Sequence, residues 1–299
     1  MKDTYWLFSL FLCLMLSCAG QVDDTPMEPT AIAFNQPRLV MVEGYDDHLM
    51  EPFVSRDGQY LFFNNLNQPS VNTNLHWATR INDTLFHYEG ELAGVNTPSL
   101  EGVPTMDRNN HFYYIYTGSY EQTLSTIYEG IFDSGQVMQP ALVEGISRRQ
   151  VGWLNFDVEV SDDGESLYFV DGRFDASGGP HEADLVIAQM QNGQFSRLDD
   201  SEEILRNVNT EALEYAAAIS PDELELYFTR VKAPLNANSM PQIYVATRLD
   251  ITQPFSSAQM IPEISGFVEA PTVAPGNTGI YYHKKEQDRH RLYYLSRKK

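Results

Sequence analysis

One phrase recurs five times along the chain, and a chain that repeats a two-strand unit five times has few folds open to it. The copies read FVSRDGQYLFFNN at 53–65, PTMDRNNHFYYIYTG at 104–118, VEVSDDGESLYFVDG at 158–172, AAISPDELELYFTR at 217–230 and PTVAPGNTGIYYHKK at 271–285. With Gly58, Asn109, Gly164, Glu223 and Asn277 as equivalent turn positions, the spacings are 51, 55, 59 and 54 residues. Each copy is a short strand, a tight turn rich in Asp, Gly, Asn and Pro, and an aromatic-rich strand. Such turn residues tolerate the positive φ that hairpins demand.

A third strand with apolar alternation follows each hairpin: LHWATR (75–80), IYEGIF (127–132), LVIAQM (185–190), IYVATR (243–248) and LYYLSR (292–297). After four of them a weaker fourth strand is predicted, near Leu85–Leu92, Val137–Val143, Phe195–Leu198 and Phe255–Ile261. The fifth unit ends at Lys299 with no room for one, whereas QPRLVMVEG at 36–44 matches QPALVEG at 139–145. A strand missing at one end and one in excess at the other close a ring. The prediction is an all-β, five-bladed β-propeller of four-stranded antiparallel blades, closed by an N-terminal outer strand joining the C-terminal blade. It occupies residues 34–299, with hairpin repeats near 51–65, 101–118, 157–172, 214–230 and 269–285.

The apolar run from Tyr5 to Leu16 is shorter than the roughly 20 residues a membrane-spanning helix needs, and has the pattern of a secretory signal. Its end, Met15–Leu16–Ser17–Cys18, resembles the bacterial lipobox. That resemblance implies a signal peptide at 1–17, lipidation of Cys18, and a flexible tether over 18–33. Ala19 stands where some Gram-negative inner-membrane lipoproteins carry aspartate, which implies an outer-membrane location in the cell envelope. Membrane contact is then through the lipid only. Cys13 would leave with the signal, so no disulfide or thiol pair is expected in the mature chain.

The repeat resembles the WD-like propeller repeat of the TolB type, whose hallmark is Ser-Pro-Asp-Gly before an aromatic strand. Ser220–Pro221–Asp222 carries it best, with Glu223 in place of the glycine; Ser55–Arg56–Asp57–Gly58 and Ser161–Asp162–Asp163–Gly164 also match. The resemblance covers nearly all of 35–299 and implies a binding module. Proteins of that type usually have six blades, and this chain has five.

Turns between first and second strands are short, whereas loops between second and third strands are long and varied, as in DGRFDASGGPHEAD (171–184) and RVKAPLNANSMPQ (230–242). Function sits on long loops carried by a rigid scaffold, which selects the face at the channel mouth. There an acid precedes each inner strand: Glu51, Glu101, Asp157, Glu214 and Glu269, at 7, 8, 7, 9 and 8 residues before the turn. A one-residue slip reverses a side chain, so some point into the channel and others into blade packing. Glu51 and Asp157, in matching register, are the stronger functional candidates. Asn64, Asn65, Trp153, Asn155, Asp171, Arg173, Arg230, Tyr45 and His48 are expected at the same mouth. The binding set is therefore Glu51, Asn64, Trp153, Asp157, Asp171, Arg173, Arg230 and Glu269. Aromatics beside carboxylates and amides suit a glycan, and also a peptide or protein loop.

A net charge of −21 disfavours nucleic acid and anionic lipid as partners. The seven histidines show no paired spacing, and Asp46–Asp47, Asp162–Asp163 and Asp199–Asp200 do not match a calcium loop. No metal and no cofactor are expected; nucleophile elbow, P-loop and Rossmann glycine patterns are absent. The main expectation is a lipid-anchored, non-catalytic scaffold binding a glycan, peptide or envelope protein at the channel mouth. The alternative is a carbohydrate-active, glycoside hydrolase-like enzyme drawing its acids from Glu51, Asp157, Glu101 and Glu214. That chemistry needs two carboxyl groups about 5–9.5 Å apart, one with a raised pKa.

Overall fold

The computed structural model describes residues 32–68 and 70–298. Cys18, the expected signal segment 1–17 and the expected tether up to residue 31 lie outside the described residues. Five small sheets, almost wholly antiparallel, form a ring: the chain is a five-bladed β-propeller. Blade 1 runs through Met50–Val54, Tyr60–Asn64, Leu75–Asn82 and Leu85–Glu91, and blade 2 through Glu101–Met106, His111–Tyr116, Ile127–Asp133 and Gln136–Leu142. Blade 3 has a broken inner strand, Trp153–Leu154 and Val158–Val160, followed by Ser166–Asp175, Gly178–Gln191 and Gln194–Arg197. Blade 4 is Leu213–Ile219, Glu225–Val231, Gln242–Thr247 and Gln259–Met260; blade 5 is Phe267–Val273, Gly279–Glu286 and Arg289–Ser296. The inner strands of successive blades touch around the axis, and the fifth returns to the first.

The aromatic second strands explain why the sheets stand as blades. A sheet with one wet face would alternate, but YLFFN, HFYYIY and LYFV are apolar on both faces and buried on both. Each blade therefore presses on two neighbours, and the core is divided into five seams. Phe53 and Phe62 meet Phe112 and Phe132 between blades 1 and 2, and Ile115 meets Val158 and Phe169 between blades 2 and 3. Tyr168 and Val170 meet Leu213 and Phe228 between blades 3 and 4. Blades 4 and 5 join through Tyr227, Ile280 and Leu295, and blades 5 and 1 through Tyr281, Tyr294, Leu61 and Phe63. Each fully buried aromatic stabilises the ring by about 1.5–3 kcal/mol relative to exposure.

The serine–aspartate turns are structural clamps. Ser55 Oγ donates to Asp57 Oδ1, which also accepts the Gln59 N–H, while Ser55 Oγ accepts the Tyr60 N–H. The same three bonds recur at Ser161, Asp163, Glu165 and Ser166, and at Ser220, Asp222, Leu224 and Glu225.

Two boundaries differ from expectation. The N-terminal segment does not lie in blade 5 alone. Phe34 bridges Arg297 and Arg38–Leu39 pairs antiparallel with Tyr293–Tyr294, but Met41–Glu43 then runs parallel to Leu85–His87 of blade 1. Val40 and Val42 are buried in the seam between the two blades, which draws the segment across it. In blade 4 the outer strand shrinks to Gln259–Met260 because Phe255 is wholly buried and its N–H bonds to the Ile204 carbonyl.

Candidate active site

The inner strands carry the site, and each of four has the same local distortion. A register shift interrupts the pairing of the first two strands in blades 1, 2, 4 and 5. At that point Glu51, Val103, Ala216 and Ala270 all take left-handed φ near +50°. This is a β-bulge, which frees one backbone N–H from the ladder and re-aims side chains. Each freed N–H is caught by a side chain of the preceding blade. Asn64 Oδ1 accepts from Val103 (3.2 Å), Thr229 Oγ1 from Ala270 (3.0 Å) and His283 Nδ1 from Glu51 (3.1 Å). Asn64, Thr229 and His283 each lie six residues after the turn, where blade 3 has Val170. Valine offers no acceptor, and Asp157 Oδ2 takes its place by accepting from Ala216 at 3.1 Å.

The bulge also decides which acids reach the channel. Glu51 is the bulge residue and Glu269 directly precedes one, whereas Glu101 and Glu214 stand two residues before theirs. Glu51, Asp157 and Glu269, from blades 1, 3 and 5, line one cavity of about 500 Å³ at the channel mouth. Glu51 Oε2 is closed off from solvent and has no hydrogen-bond partner, while its Oε1 faces Asn67 Nδ2 at 3.4 Å. Gly102 makes room for this carboxyl, since a Cβ there would sit 3.1 Å from Glu51 Oε2. Glu269 accepts on both oxygens, from the Tyr215 hydroxyl and from His283 Nε2 at 3.2 Å. Because His283 Nδ1 accepts from Glu51 N–H, its proton is on Nε2, aimed at Glu269. A circuit thus runs from Asp157 through Ala216 and Tyr215 to Glu269, His283 and Glu51.

Electrostatics separates the acids. Burial, and then the charges of Glu51 and Glu269, push Asp157 well above the ordinary carboxyl range. Burial also raises Glu51, with Glu269 adding to the effect and His283 opposing it. The neighbouring carboxyls cannot all ionise cheaply, so the Glu51–Asp157 pair retains a proton longer than isolated acids would. Burial, with the nearby His283 and His48, lowers His290 to about 3, so its ring is a neutral wall at neutral pH.

A raised folded-state pKa means stability that is complete below the unfolded value and lost as pH rises through the folded one. Asp157→Asn keeps the acceptor for Ala216 but cannot ionise. It is expected to match the wild type near pH 4 and to exceed its Tm by roughly 4 °C at pH 8. Thermal melts across that range check this; a pH-independent difference would refute it.

The remaining candidates sit elsewhere. Glu101 is buried and takes the Thr97 N–H and hydroxyl (3.0 and 2.6 Å). Glu214 takes the same groups of Thr210 (3.1 and 2.6 Å) and pairs with Arg230 at 2.6 Å. Each closes a sequence Val-Asn-Thr-x-x-Leu-Glu, at 95–101 and 208–214, that leads from a blade-to-blade connection into an inner strand. The asparagine of each holds the previous blade's third strand through Leu75 or Leu185. Asp171 is bound by Arg148, Arg197 and Asn155 within blade 3, and Arg148 lies 4.0 Å over the Trp153 ring. Arg173 pairs outward with Glu182 at 2.6 Å. Of the expected binding set, Glu51, Asn64, Asp157 and Glu269 come together; Trp153, Asp171, Arg173 and Arg230 are tied into blades 3 and 4. Tyr215, His283 and Asn67 complete the cluster and were not anticipated. Their signal was present: His283 shares the six-after-turn position with Asn64. Among the described residues, no group of three His, Cys, Asp or Glu side chains is arranged to hold a metal ion.

No protein-family model matches the chain, and no curated protein sequence matches it. Solved structures do share its fold. The α-L-arabinofuranosidase PaAbf62A of Podospora anserina, solved with cellotriose, superposes with a TM-score of 0.53 at 11% identity, covering 91% of this chain and 98% of that one. A structure described as a glycoside hydrolase superposes at 0.60 with 11% identity, covering 90% of this chain and 92% of that one. TolB of Acinetobacter baumannii gives 0.44 at 14% identity over 84% of this chain and 55% of that one. The expectation of a non-catalytic scaffold is corrected here. The solved structures that share the fold include glycoside hydrolases.

Proposed function

We propose that the chain is a glycoside hydrolase-like enzyme working at its channel mouth with Glu51, Asp157 and Glu269. The observation that carries this reading is the meeting of three carboxyl groups from three blades in one cavity, two of them with raised pKa. The cavity volume is in the range of small-ligand pockets. Glu51, which lines the cavity and is raised by burial, delivers the proton that the Glu51–Asp157 pair retains to the departing glycosidic oxygen. As the carbon–oxygen bond breaks, Glu269 either takes a proton from the attacking water or itself bonds to the anomeric carbon, and product stereochemistry distinguishes the two. Tyr215 and His283 hold Glu269 in place for that role. Asn67 lies exposed beside Glu51 as a hydrogen-bond partner for a sugar hydroxyl, whereas Asn64 is wholly buried and committed to Val103 and Asn65.

The test is sugar release by the purified protein from a panel of oligosaccharides and simple glycosides. Cleavage of at least one is expected; a folded protein that cleaves none would sink the reading. With the enzyme we propose its placement, lipid-anchored through Cys18 in the outer membrane, on the strength of Met15–Cys18 and Ala19. Incorporation of labelled palmitate that disappears in Cys18→Ser is the expected result.

A further inference from the structure

We infer that the substrate is a glycoside with an apolar aglycone, bound sugar-down; this rests on the hydrolase reading of the same site. The cavity is divided by chemistry. Its floor holds the buried or half-buried polar side chains Glu51, Asp157, Glu269 and His283, which can pair with hydroxyls of one sugar ring. They are joined there to the buried apolar Met50, Ile115, Ala216 and Ala270, with exposed Asn67 beside Glu51. Its collar is built from Leu66, Leu100, Leu154, Phe174, Leu235 and Phe267. These side chains come from around the whole mouth: the loop after the second strand of blade 1, the connection into blade 2, both ends of the blade 3 site, the long loop of blade 4 and the first residue of blade 5. Each remains partly exposed, Leu235 at 44%, on a rim that faces water. A concentric set of exposed apolar side chains above a partly polar floor marks a place where something apolar is covered.

The polar side chains that would line the path of a sugar polymer are committed elsewhere. Asp171 is held by Arg148 and Arg197, Arg173 by Glu182 and Arg230 by Glu214. The one cationic side chain that lines the cavity, Lys285, lies 5.9 Å from the ring centre of Phe267. His290 presents a neutral ring. Gln68 and Thr117 also line the cavity, but the collar is mainly leucine and phenylalanine, so a second sugar there would bury most of its hydroxyls without partners, which is unfavourable. An alkyl or aryl group there instead removes apolar surface from water on both sides. The floor takes one sugar, and the collar takes what the sugar is attached to.

Matched methyl and hexyl glycosides of common pentoses and hexoses test this. Their leaving alcohols are chemically alike, so a rate difference reports contact with the collar. The hexyl compound of the accepted sugar is expected to show kcat/KM at least about tenfold above the methyl one. The double variant Leu66→Ser/Leu235→Ser, altering partly exposed positions, is expected to bring that ratio towards one. A ratio near one in the wild type, or cleavage of oligosaccharides in preference to hexyl glycosides, overturns the inference and leaves the hydrolase reading standing. If no glycoside is cleaved, the hydrolase reading fails, and binding decides the collar separately. N-phenyl-1-naphthylamine fluorescence, enhanced by the wild type, weakened in the double variant and displaced by hexyl but not methyl glycoside, supports an apolar-aglycone site. Absence of that enhancement overturns it.

Discussion

Glu51→Gln is expected to lower kcat by on the order of a hundred- to ten-thousandfold on glycosides with poor leaving groups, with the fold unchanged. Glutamine has the shape of glutamate and retains an oxygen for the Asn67 amide. It occupies the left-handed bulge no worse than glutamate does, and its N–H still reaches His283. What it cannot do is give up a proton. A glycoside with a nitrophenol leaving group needs little protonation, so its kcat should fall far less. That contrast identifies an acid. An equal loss on both substrates would mean that Glu51 shapes the site without donating its proton.

The second large effect is on stability. Asp171 is 2% exposed and receives four hydrogen bonds: two from Arg197 at 2.7 Å, one from Arg148 at 2.6 Å and one from Asn155 at 3.0 Å. Asp171→Ala leaves those donors facing an apolar methyl group. Breaking a buried ion pair by removing one partner costs about 3–5 kcal/mol, so Tm should fall by roughly 6–20 °C. Burial alone would raise the Asp171 pKa, but the hydrogen bonds and charges of Arg197 and Arg148 outweigh it and hold it below its ordinary value. Stability from a depressed acid is present above its unfolded pKa and is lost as pH falls through the folded one. The gap between wild type and variant should therefore stay constant above about pH 4 and close below it. Melts at pH 7 and pH 3 decide the matter, and an undiminished gap in acid would contradict it. Asp157→Asn should show the opposite slope, because its acid is raised by burial instead of lowered by arginine.

Those opposite environments were hidden in a sequence that spelled out the architecture. Five turns and five aromatic strands were countable because hairpins are local, and the ring closed by counting. The bulge was not countable. It inserts one residue into an inner strand without a diagnostic side chain, since the bulge position is held by glutamate, valine and, twice, alanine. Counting acids back from the turn therefore ranked Glu101 with Glu269, although one caps a connection and the other lines the cavity. Glu51 and Asp157 share a spacing for unrelated reasons: the first is a bulge residue, the second lies in the break of blade 3's inner strand. Trp153, Arg173 and Arg230 looked like mouth residues because they stand in or beside stretches that read as loops, although the structure places all three on strands. Glu182 and Glu214, the partners of Arg173 and Arg230, are set by cross-strand register, which no single segment reveals, and Arg148 reaches Trp153 from five residues upstream.

The proposed acids stand on blades 1, 3 and 5, and Tyr215 and His283 reach Glu269 and the Glu51 backbone across seams from the blade before. No single blade, and no pair of adjacent blades, contains the constellation. A partly closed ring would keep its hairpins, its turns and most of its far-ultraviolet circular dichroism, yet it would be chemically inert. Activity would then report something that spectroscopy of secondary structure misses, namely circumferential closure. The short N-terminal segment that spans blades 5 and 1 is the natural gate on that signal, although it contributes no group to the chemistry.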